Sequence, residues 1–165
     1  MIKTLIIDDE PLAAGLVQEY LMDFPQFEIL EVCQDGFQGL KAIQQHQPDL
    51  IFLDVQMPKI TGFELLELLD EPPAVIFTTA FDQYALKAFD AKAMDYLLKP
   101  FSDTRFKQAV DRFLIQFSQK ELAVSEEETE NRLLAEKSNR LVVRVKNDIK
   151  IIPVTEVSYF EAEDD

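Results

Sequence analysis

The chain has no tryptophan, one cysteine and one histidine, and these scarcities exclude several classes of structure. Cys33 has no second cysteine for an intrachain disulfide, and with His46 it cannot supply the ligands of a usual structural zinc site. No apolar run approaches the roughly 18 residues needed to span a bilayer. The amino end becomes acidic at Asp8, before a signal-peptide core could form. These features predict a cytoplasmic protein that does not enter membranes.

Basic residues are also scarce, with 16 Lys and Arg against 31 Asp and Glu and a formal net charge of −15. Such a charge disfavours nonspecific binding to nucleic acid, because neutralising phosphates requires clustered Lys and Arg. Any DNA-binding part is therefore expected to be masked or to lie outside these residues. The 47% hydrophobic content is typical of a globular protein, and 165 residues suffice for one ordinary domain and a remainder.

Five short apolar or β-branched runs alternate with five helical patterns in the first two thirds of the chain. The predicted strands cover residues 3–7, 27–33, 50–53, 74–78 and 94–98. The run 50–53 is apolar on both alternating faces, which is typical of a strand buried in a parallel sheet. The alternation predicts an α/β fold with a doubly wound five-stranded parallel sheet of order 2-1-3-4-5, as in flavodoxin-like proteins.

Apolar residues at helical spacing predict which helix faces lie against the sheet. The clearest pattern is in the fifth helix, where spacings of four, three and four predict one inward aromatic face. Pro11 suits the first turn of the first helix, Gly36 opens the second, and a short third helix follows Gly62. The predicted inward residues are Leu12, Leu16 and Tyr20, with Val17 and Leu21 alongside, in the first helix, Phe37, Leu40 and Ile43 in the second, and Phe106, Val110, Phe113 and Phe117 in the fifth. Phe63, Leu66 and Leu69 make the short third helix, and a fourth helix is predicted to carry Tyr84, Ala85, Ala88 and Phe89.

The composition changes after Phe117. Residues 121–138 are either a polar helix, with Ser125 and Glu128 as a capping box, or a solvated acidic linker. Residues 139–165 alternate apolar and polar side chains, with a tight turn at Asn147 and Asp148 and a further candidate strand at 158–162. Two or three strands cannot bury a core alone, so this segment is predicted to be the front end of a second, β-rich domain.

Polar residues stand at the carboxyl ends of four predicted strands, where open α/β sheets bind ligands. Asp8 and Asp9 follow the first strand, Asp54 the third, Thr79 the fourth and Lys99 the fifth. The topology brings these ends to one edge of the sheet. Neighbouring carboxylates repel one another unless a cation lies between them, and all-oxygen ligation favours Mg²⁺ or Mn²⁺.

The same groups suit a phosphoryl group. Lys99 supplies a positive charge for one phosphoryl oxygen, and the Thr79 hydroxyl can donate to another. A carboxylate can itself be the nucleophile, so Asp54 is predicted to form an aspartyl phosphate.

These residues, with the sequence Leu-Asp-Val-Gln-Met-Pro-Lys-Ile-Thr-Gly around Asp54 and Lys-Pro-Phe from Lys99, resemble the receiver domain of two-component response regulators. The resemblance covers residues 1–120 and implies that Asp54 accepts phosphate from a sensor histidine kinase. It also implies that Thr79 and Tyr96 form a switch pair and that the Lys99–Pro100 peptide bond is cis. The implied Mg²⁺ ligands are Asp9, Asp54 and the backbone carbonyl of Gln56, with Asp8 bound through water.

The segment from Phe77 to Phe89 and residues 140–165 further resemble the LytR/AlgR subgroup, whose output is a LytTR-type DNA-binding domain. The resemblance implies a receiver at 1–120, a linker at 121–138 and the start of that output domain at 139–165. DNA would then be bound only by a full-length protein, and phosphorylation would control transcription. A homodimer is expected through the fourth helix, the fifth strand and the fifth helix.

Two other functions fit part of the pattern. A Mg²⁺-dependent phosphatase with an aspartyl nucleophile would place nucleophile and acid two residues apart on its first strand, where this chain has Glu10 beside an adjacent aspartate pair. An FMN-binding flavodoxin needs a phosphate loop rich in Ser, Thr and Gly, which Asp8, Asp9 and Glu10 replace. A regulatory phosphoacceptor, with only slow self-catalysed phosphotransfer and dephosphorylation, is therefore favoured over a dedicated enzyme.

The lifetime of the phosphorylated state is expected to depend on residues beside the line of water attack. In the family these lie two positions beyond the acceptor and two beyond the switch hydroxyl, here Gln56 and Phe81. An aromatic ring at position 81 cannot orient water by hydrogen bonding, whereas the Gln56 amide could hold a water, so the two effects oppose. The ring is expected to dominate and to lengthen the lifetime, because excluding water acts on every trajectory while one flexible amide samples many rotamers.

Overall fold

The computed structural model describes the backbone of residues 1–138, 140–145 and 148–153, and the side chains of residues 1–124. The chain divides into two compact units, Met1–Ile115 and Gln116–Asp165. The elements of the first unit follow in the order β1 (Ile2–Ile7), α1 (Pro11–Leu21), β2 (Phe27–Cys33), α2 (Gly36–His46), β3 (Leu50–Asp54), α3 (Gly62–Glu67), β4 (Ala74–Thr79), a 3₁₀ helix (Asp82–Tyr84), α4 (Ala85–Asp90) and β5 (Asp95–Leu98), after which α5 (Asp103–Ser138) begins.

The sheet of the first unit has the order β2-β1-β3-β4-β5, and every neighbouring pair is parallel. This confirms the predicted doubly wound fold. The central strand β3 is buried along its whole length, which accounts for its continuous apolar run. Asp54 ends β3 in register with Thr78 of β4, so the loops that follow these two strands lie at the same edge of the sheet.

The helices begin where local chemistry satisfies their free backbone N–H groups. The Asp35 side chain accepts a hydrogen bond from the Gln38 N–H at 2.9 Å and caps α2. A reciprocal capping box starts α3, in which Thr61 Oγ1 accepts from the Glu64 N–H at 3.2 Å and Glu64 Oε2 accepts from the Thr61 N–H at 2.8 Å. Pro11 occupies the first turn of α1, as predicted.

The predicted inward faces of α1 and α2 were partly wrong. Leu12 is 91% exposed and Phe37 is 50% exposed, whereas Val17, Leu21 and Ile43 are buried as predicted. The buried residues are Ala14, Val17 and Leu21 in α1 and Gly36, Gly39, Ala42 and Ile43 in α2. A Cβ atom at Gly39 would lie 2.8 Å from the Ile7 side chain, so the close approach of α2 to β1 selects the face with the small residues. Apolar size alone therefore predicted the positions of Leu12 and Phe37 wrongly and missed the buried small residues.

The aromatic face of α5 packs inward as predicted, at its amino-terminal end. Phe106, Val110 and Phe113 are buried, and Phe117 is half-buried. The Phe106 ring stacks on the Phe52 ring of β3, with centroids 5.3 Å apart. The third helix ends at Glu67, so Leu69 lies just beyond it, contrary to the prediction.

The second unit contains the rest of α5 and an antiparallel pair, β6 (Arg140–Val145) and β7 (Asp148–Pro153). Helix α5 is continuous through Ser125, so this residue is not the N-cap of a new helix. The predicted strand 158–162 lies outside the described residues, and the domain boundaries remain predictions. Among the described helices, none is long and apolar enough to cross a membrane.

Candidate functional site

The fold brings the charged residues at the carboxyl ends of β1, β3 and β5 into contact through Lys99. The Lys99 Nζ lies 2.8 Å from Asp8 Oδ2, 3.2 Å from Asp54 Oδ2 and 3.1 Å from Glu10 Oε1. The side chains of Asp8, Asp54 and Lys99 are only 2%, 6% and 12% exposed, whereas that of Glu10 is 62% exposed. One cation is therefore shared by three carboxylates, two of them buried.

The second oxygen of each buried carboxylate is held by the backbone two residues further along the chain. The Glu10 N–H donates to Asp8 Oδ1 at 2.9 Å, and the Gln56 N–H donates to Asp54 Oδ1 at 3.2 Å. Each aspartate is thus fixed by one backbone donor and one ammonium donor. Such bonds limit rotation of the carboxylates and orient them toward the same edge.

The pKa values of both buried carboxylates are raised above their ordinary value. Burial raises the pKa of Asp54 to about 6, the nearby charge of Lys99 opposes this shift, and the charge of Asp8 adds to it. The pKa of Asp8 is also raised by burial, against the hydrogen bond from Lys99. Burial would lower the pKa of Lys99, but the hydrogen bond to Asp8 and the charges of Asp54 and Asp8 raise it above its ordinary value. The negative charge at this edge is incompletely neutralised by the protein itself.

The donor set fits a divalent cation. Asp8, Glu10 and Asp54 offer carboxylate oxygens that all lie within 4.8 Å of one another. All-oxygen ligands suit Mg²⁺ and Mn²⁺, and a cation would stabilise the ionised form of both aspartates against the burial and the neighbouring negative charges that raise their pKa values. The structure adds Glu10, which was not among the predicted ligands, although its place in the run from Asp8 was a signal. Asp9 is half-buried and is not part of this carboxylate group, so its role as a ligand remains a prediction.

Gly62 lets α3 begin close to the phosphoacceptor candidate. Its N–H donates to the Val55 carbonyl at 2.9 Å. A Cβ atom at position 62 would lie 2.4 Å from the Asp54 carbonyl oxygen, which is too close for any side chain. The loop between β3 and α3 therefore depends on glycine at this close approach. The Lys99–Pro100 peptide bond on the other side of the site is cis, as predicted.

Thr79 and Tyr96 meet at the backbone of Phe81. Thr79 is fully buried, and its Oγ1 accepts a hydrogen bond from the Phe81 N–H at 3.4 Å. The half-buried Tyr96 donates its hydroxyl to the Phe81 carbonyl oxygen. Burial and the charge of Asp82 raise the pKa of Tyr96, so the hydroxyl stays protonated and remains a donor. The predicted switch pair thus holds one peptide segment from both sides, which the spacing of these residues did not reveal.

Gln56 and Phe81 both lie at the rim. The Gln56 side chain is exposed, and its Nε2 donates to the Tyr84 hydroxyl at 3.0 Å. The Phe81 ring is 39% exposed and contacts the Tyr84 ring edge-on, with centroids 6.1 Å apart. Sequence reasoning placed Tyr84 in the fourth helix and missed its contact with Gln56, because no motif links positions 28 residues apart.

A second buried aspartate, at the amino end of β5, has quite different neighbours. Asp95 Oδ2 accepts hydrogen bonds from Arg105 Nη1 and Arg112 Nη1, both at 3.1 Å. Asp95 Oδ1 accepts from the second Arg105 terminal nitrogen and, at 2.7 Å, from the Tyr96 N–H. Burial would raise the pKa of Asp95, but the Arg105 and Tyr96 hydrogen bonds and the two arginine charges lower it overall. Sequence reasoning did not single out this cluster.

Sequence comparisons place the chain among bacterial signalling proteins. An uncharacterised response regulatory protein of Vibrio cholerae is 39% identical over 152 residues, which are 91% of this chain and 64% of that protein. The transcriptional regulatory protein BtsR of Escherichia coli strain K12 is 40% identical over 126 residues, which are 75% of this chain and 53% of BtsR. The chain thus spans between half and two thirds of the length of these relatives.

Solved structures show the same fold. The response regulatory domain of mrkE from Klebsiella pneumoniae superposes with a TM-score of 0.67 at 30% identity, covering 72% of this chain and 99% of that one. The receiver domain of a Luxo repressor protein from Vibrio parahaemolyticus gives a TM-score of 0.66 at 28% identity, covering 74% and 96%. The family profile described as the response regulator receiver domain matches residues 4–111. The chain therefore belongs to the response regulator receiver domain family.

Proposed function

We propose that this protein is a phosphorylation-activated response regulator in which Asp54 accepts a phosphoryl group from a sensor histidine kinase. One observation carries the assignment: Asp54, buried at the end of β3, is held by Lys99 on one oxygen and by the Gln56 N–H on the other. Asp8 also contacts Lys99 but accepts its backbone bond from a different loop. Asp54 lies on the central strand in register with Thr78 of β4, so Thr79 follows at the same edge, and Lys99 Nζ lies 3.2 Å from Asp54 Oδ2. A phosphoryl group on Asp54 is proposed to contact both Thr79 and Lys99.

The transfer exchanges one bond to phosphorus for another. A carboxylate oxygen of Asp54 forms a bond to phosphorus, the phosphorus–nitrogen bond of the donor imidazole breaks, and the electron pair remains on the histidine nitrogen. Lys99 is placed to donate to a phosphoryl oxygen while it neutralises charge. Asp54 must be ionised to attack, and with a pKa of about 6 it is mostly ionised at neutral pH.

Mg²⁺ is the proposed cofactor, with Mn²⁺ as a substitute. Asp9, Asp54 and the Gln56 carbonyl are proposed to bind it directly and Asp8 through water, and the contact of Glu10 with the same lysine adds it as a candidate ligand. When bound, the ion would supply positive charge to phosphoryl oxygens and to the crowded carboxylates. Lys99 would then no longer be the shared cation of all three carboxylates and could contact a phosphoryl oxygen.

Thr79 and Tyr96 are proposed to transmit the phosphorylated state. A Thr79 hydroxyl that turns to a phosphoryl oxygen would give up its bond from the Phe81 N–H. Of these two bonds to the Phe81 backbone, the one from Tyr96 would remain, and a shift of that segment would change the packing of the Tyr96 ring. This is a population shift between two arrangements of the same segment.

The outputs are proposed to be dimerisation and control of transcription. Exposed apolar side chains on α4 and β5, namely Leu86 and Phe89 at 82% each and Leu98 at 44%, support a dimer surface on α4, β5 and α5. BtsR is named a transcriptional regulatory protein, and the antiparallel strands β6 and β7 suit the start of a LytTR-type DNA-binding domain. DNA binding would then require the full-length protein.

Labelling with acetyl phosphate and Mg²⁺, followed by peptide mapping, tests the phosphoacceptor. The phosphoryl group is expected on the peptide that contains Asp54, with Asp54→Asn unlabelled and Asp95→Asn labelled like the parent. Label on Asp8, or sustained turnover of a chromogenic phosphate ester, would contradict the proposal and favour a phosphatase with its nucleophile on the first strand. Sedimentation with and without beryllofluoride tests the dimer, and unchanged mass across micromolar concentrations would contradict it.

A further inference from the structure

A side-chain hydrogen bond joins the two loops that flank Asp54. Gln56 Nε2 donates to the Tyr84 hydroxyl at 3.0 Å, across 28 positions of sequence. The backbone N–H of the same glutamine donates to Asp54 Oδ1 at 3.2 Å. Gln56 is therefore bonded at its backbone to the phosphoacceptor and at its side chain to the 3₁₀ helix that follows β4.

The tyrosine is the fixed partner of this pair. Its ring is half-buried and packs against the rings of Phe63 and Phe81, with both centroids 6.1 Å away. Packing on two rings sets the position of the hydroxyl independently of the hydrogen bond. Gln56, by contrast, is exposed and would sample many rotamers without a partner. The bond therefore restrains the glutamine and has little effect on the tyrosine.

The position of this bond points to a role at the open edge of the site. Asp54 and Thr78 are paired in register, so the loop after β3 and the loop after β4 leave the sheet side by side. A bond from Gln56 to Tyr84 crosses the gap between those loops beside Asp54. We infer that Tyr84 is a positioning residue that holds the Gln56 amide across this gap and slows the approach of water to phosphorylated Asp54. The inference rests on the proposed function of Asp54.

Loss of the phosphoryl group requires in-line attack by water. The water oxygen bonds to phosphorus, the bond between phosphorus and the Asp54 oxygen breaks, and the electron pair stays on the carboxylate while the proton leaves with inorganic phosphate. Neither Tyr84 nor Gln56 gains or loses a bond to phosphorus. Removing the bond between Gln56 and Tyr84 would ease the approach of any small reagent to Asp54. Phosphoryl uptake from acetyl phosphate should therefore accelerate together with hydrolysis.

A double-mutant cycle on the full 165-residue chain tests the inference. Tyr84→Phe keeps the ring and removes the hydroxyl, Gln56→Ala removes the amide, and the double variant removes both. Tyr20→Phe is the matched control, because it loses a tyrosine hydroxyl from α1 and keeps its ring contacts with Phe101 and Phe106. Each protein is loaded with acetyl phosphate and Mg²⁺, the donor is removed, and phosphate release is followed in native buffer and in denaturant.

Each single variant is expected to shorten the lifetime about threefold to fivefold, as for loss of one neutral hydrogen bond, and the double variant no further. Uptake by Tyr84→Phe should be as fast as in the parent or faster, and lifetimes in denaturant should be equal in all proteins. An unchanged or longer lifetime in Tyr84→Phe, multiplicative effects in the double variant, slower uptake by Tyr84→Phe, or an equal effect of Tyr20→Phe would overturn the inference. Failure of the parent to take up phosphate would instead refute the proposed function.

Discussion

Asp54 and Asp95 are both buried aspartates of the same parallel sheet, yet their surroundings give them opposite properties. Asp54 shares the single ammonium group of Lys99 with Asp8 and Glu10, and its pKa is raised to about 6. Asp95 accepts hydrogen bonds from two guanidinium groups and a backbone N–H, and its pKa is lowered. A carboxylate with a surplus of donors stabilises the fold. A carboxylate such as Asp54, which shares one ammonium donor with other carboxylates, remains able to bind a cation or attack phosphorus.

The largest expected difference between the two aspartates is in phosphoryl uptake. Asp54→Asn should abolish labelling by acetyl phosphate, because the amide keeps the shape and removes the nucleophile. Asp95→Asn should still be labelled at Asp54, because it lies outside the carboxylates that contact Lys99. Mass spectrometry of the intact proteins measures both. Equal labelling of the two variants would contradict the assignment of Asp54, rather than Asp95, as the residue needed for phosphoryl uptake.

Stability should show the reverse order. Asp95→Ala leaves the guanidinium groups of Arg105 and Arg112 without their shared acceptor, but water can solvate these side chains, which are 34% and 63% exposed. We therefore expect a loss of about 2 kcal/mol in the free energy of unfolding. Asp111→Ala, at an exposed position of α5, is the control and should change stability by about 0.5 kcal/mol or less. Urea denaturation measures both. A similar small effect at both positions would mean that the arginine cluster contributes little to the fold.

The pH dependence of stability should also have opposite signs at the two residues. Without Mg²⁺ and with a chelator present, the folded protein binds a proton at Asp54 more tightly than the unfolded chain does, since its pKa of about 6 exceeds the ordinary 3.8. Asp54→Asn should therefore be more stable than the parent above pH 6, by on the order of 2 to 3 kcal/mol, and the gain should vanish as the pH falls from about 6 to 4.

Asp95 provides the contrast in the same experiment. Its folded pKa is lowered, so its contribution to stability is present above the ordinary value of 3.8 and is lost only as the pH falls through the lower folded value. The deficit of Asp95→Asn should therefore be constant between pH 7 and 5. A deficit that shrinks across that range would contradict the assignment of the arginines as the dominant partners of Asp95.

The smallest expected effect concerns Phe81, whose backbone contacts Thr79 and Tyr96. Phe81→Glu would add a further carboxylate at the rim where negative charge is already incompletely neutralised, and its oxygens could orient an attacking water. We expect the lifetime of the phosphorylated state to shorten about tenfold, equivalent to about 1.4 kcal/mol of barrier. Phosphate release after removal of the donor measures it, with Phe81→Leu as the uncharged control. An equal or longer lifetime in Phe81→Glu would mean that Phe81 contributes only packing and does not control the approach of water.

Much of the fold and part of the site could be predicted from the sequence because they depend on local patterns. The apolar runs located all five strands of the sheet, and parallel order then required Asp8, Asp54, Thr79 and Lys99 to meet at one edge. The cis bond before Pro100 followed from the family resemblance. The helix faces were harder, because the pattern counted Leu12 and Phe37 as inward while close packing against the sheet selected glycine and alanine.

The sequence by itself determined the order of the elements, the acidic run after β1 and the presence of one lysine after β5. Only the tertiary structure decided how charge is shared among them, because Lys99 reaches Asp54 across 45 positions and Glu10 across 89. It likewise decided that Thr79 and Tyr96 both bond the backbone of Phe81 and that the Gln56 amide bonds the Tyr84 hydroxyl. The pKa of an aspartate depends on burial and on the charges around it, and those neighbours are set by folding, so the chemical difference between Asp54 and Asp95 arises only in the folded chain.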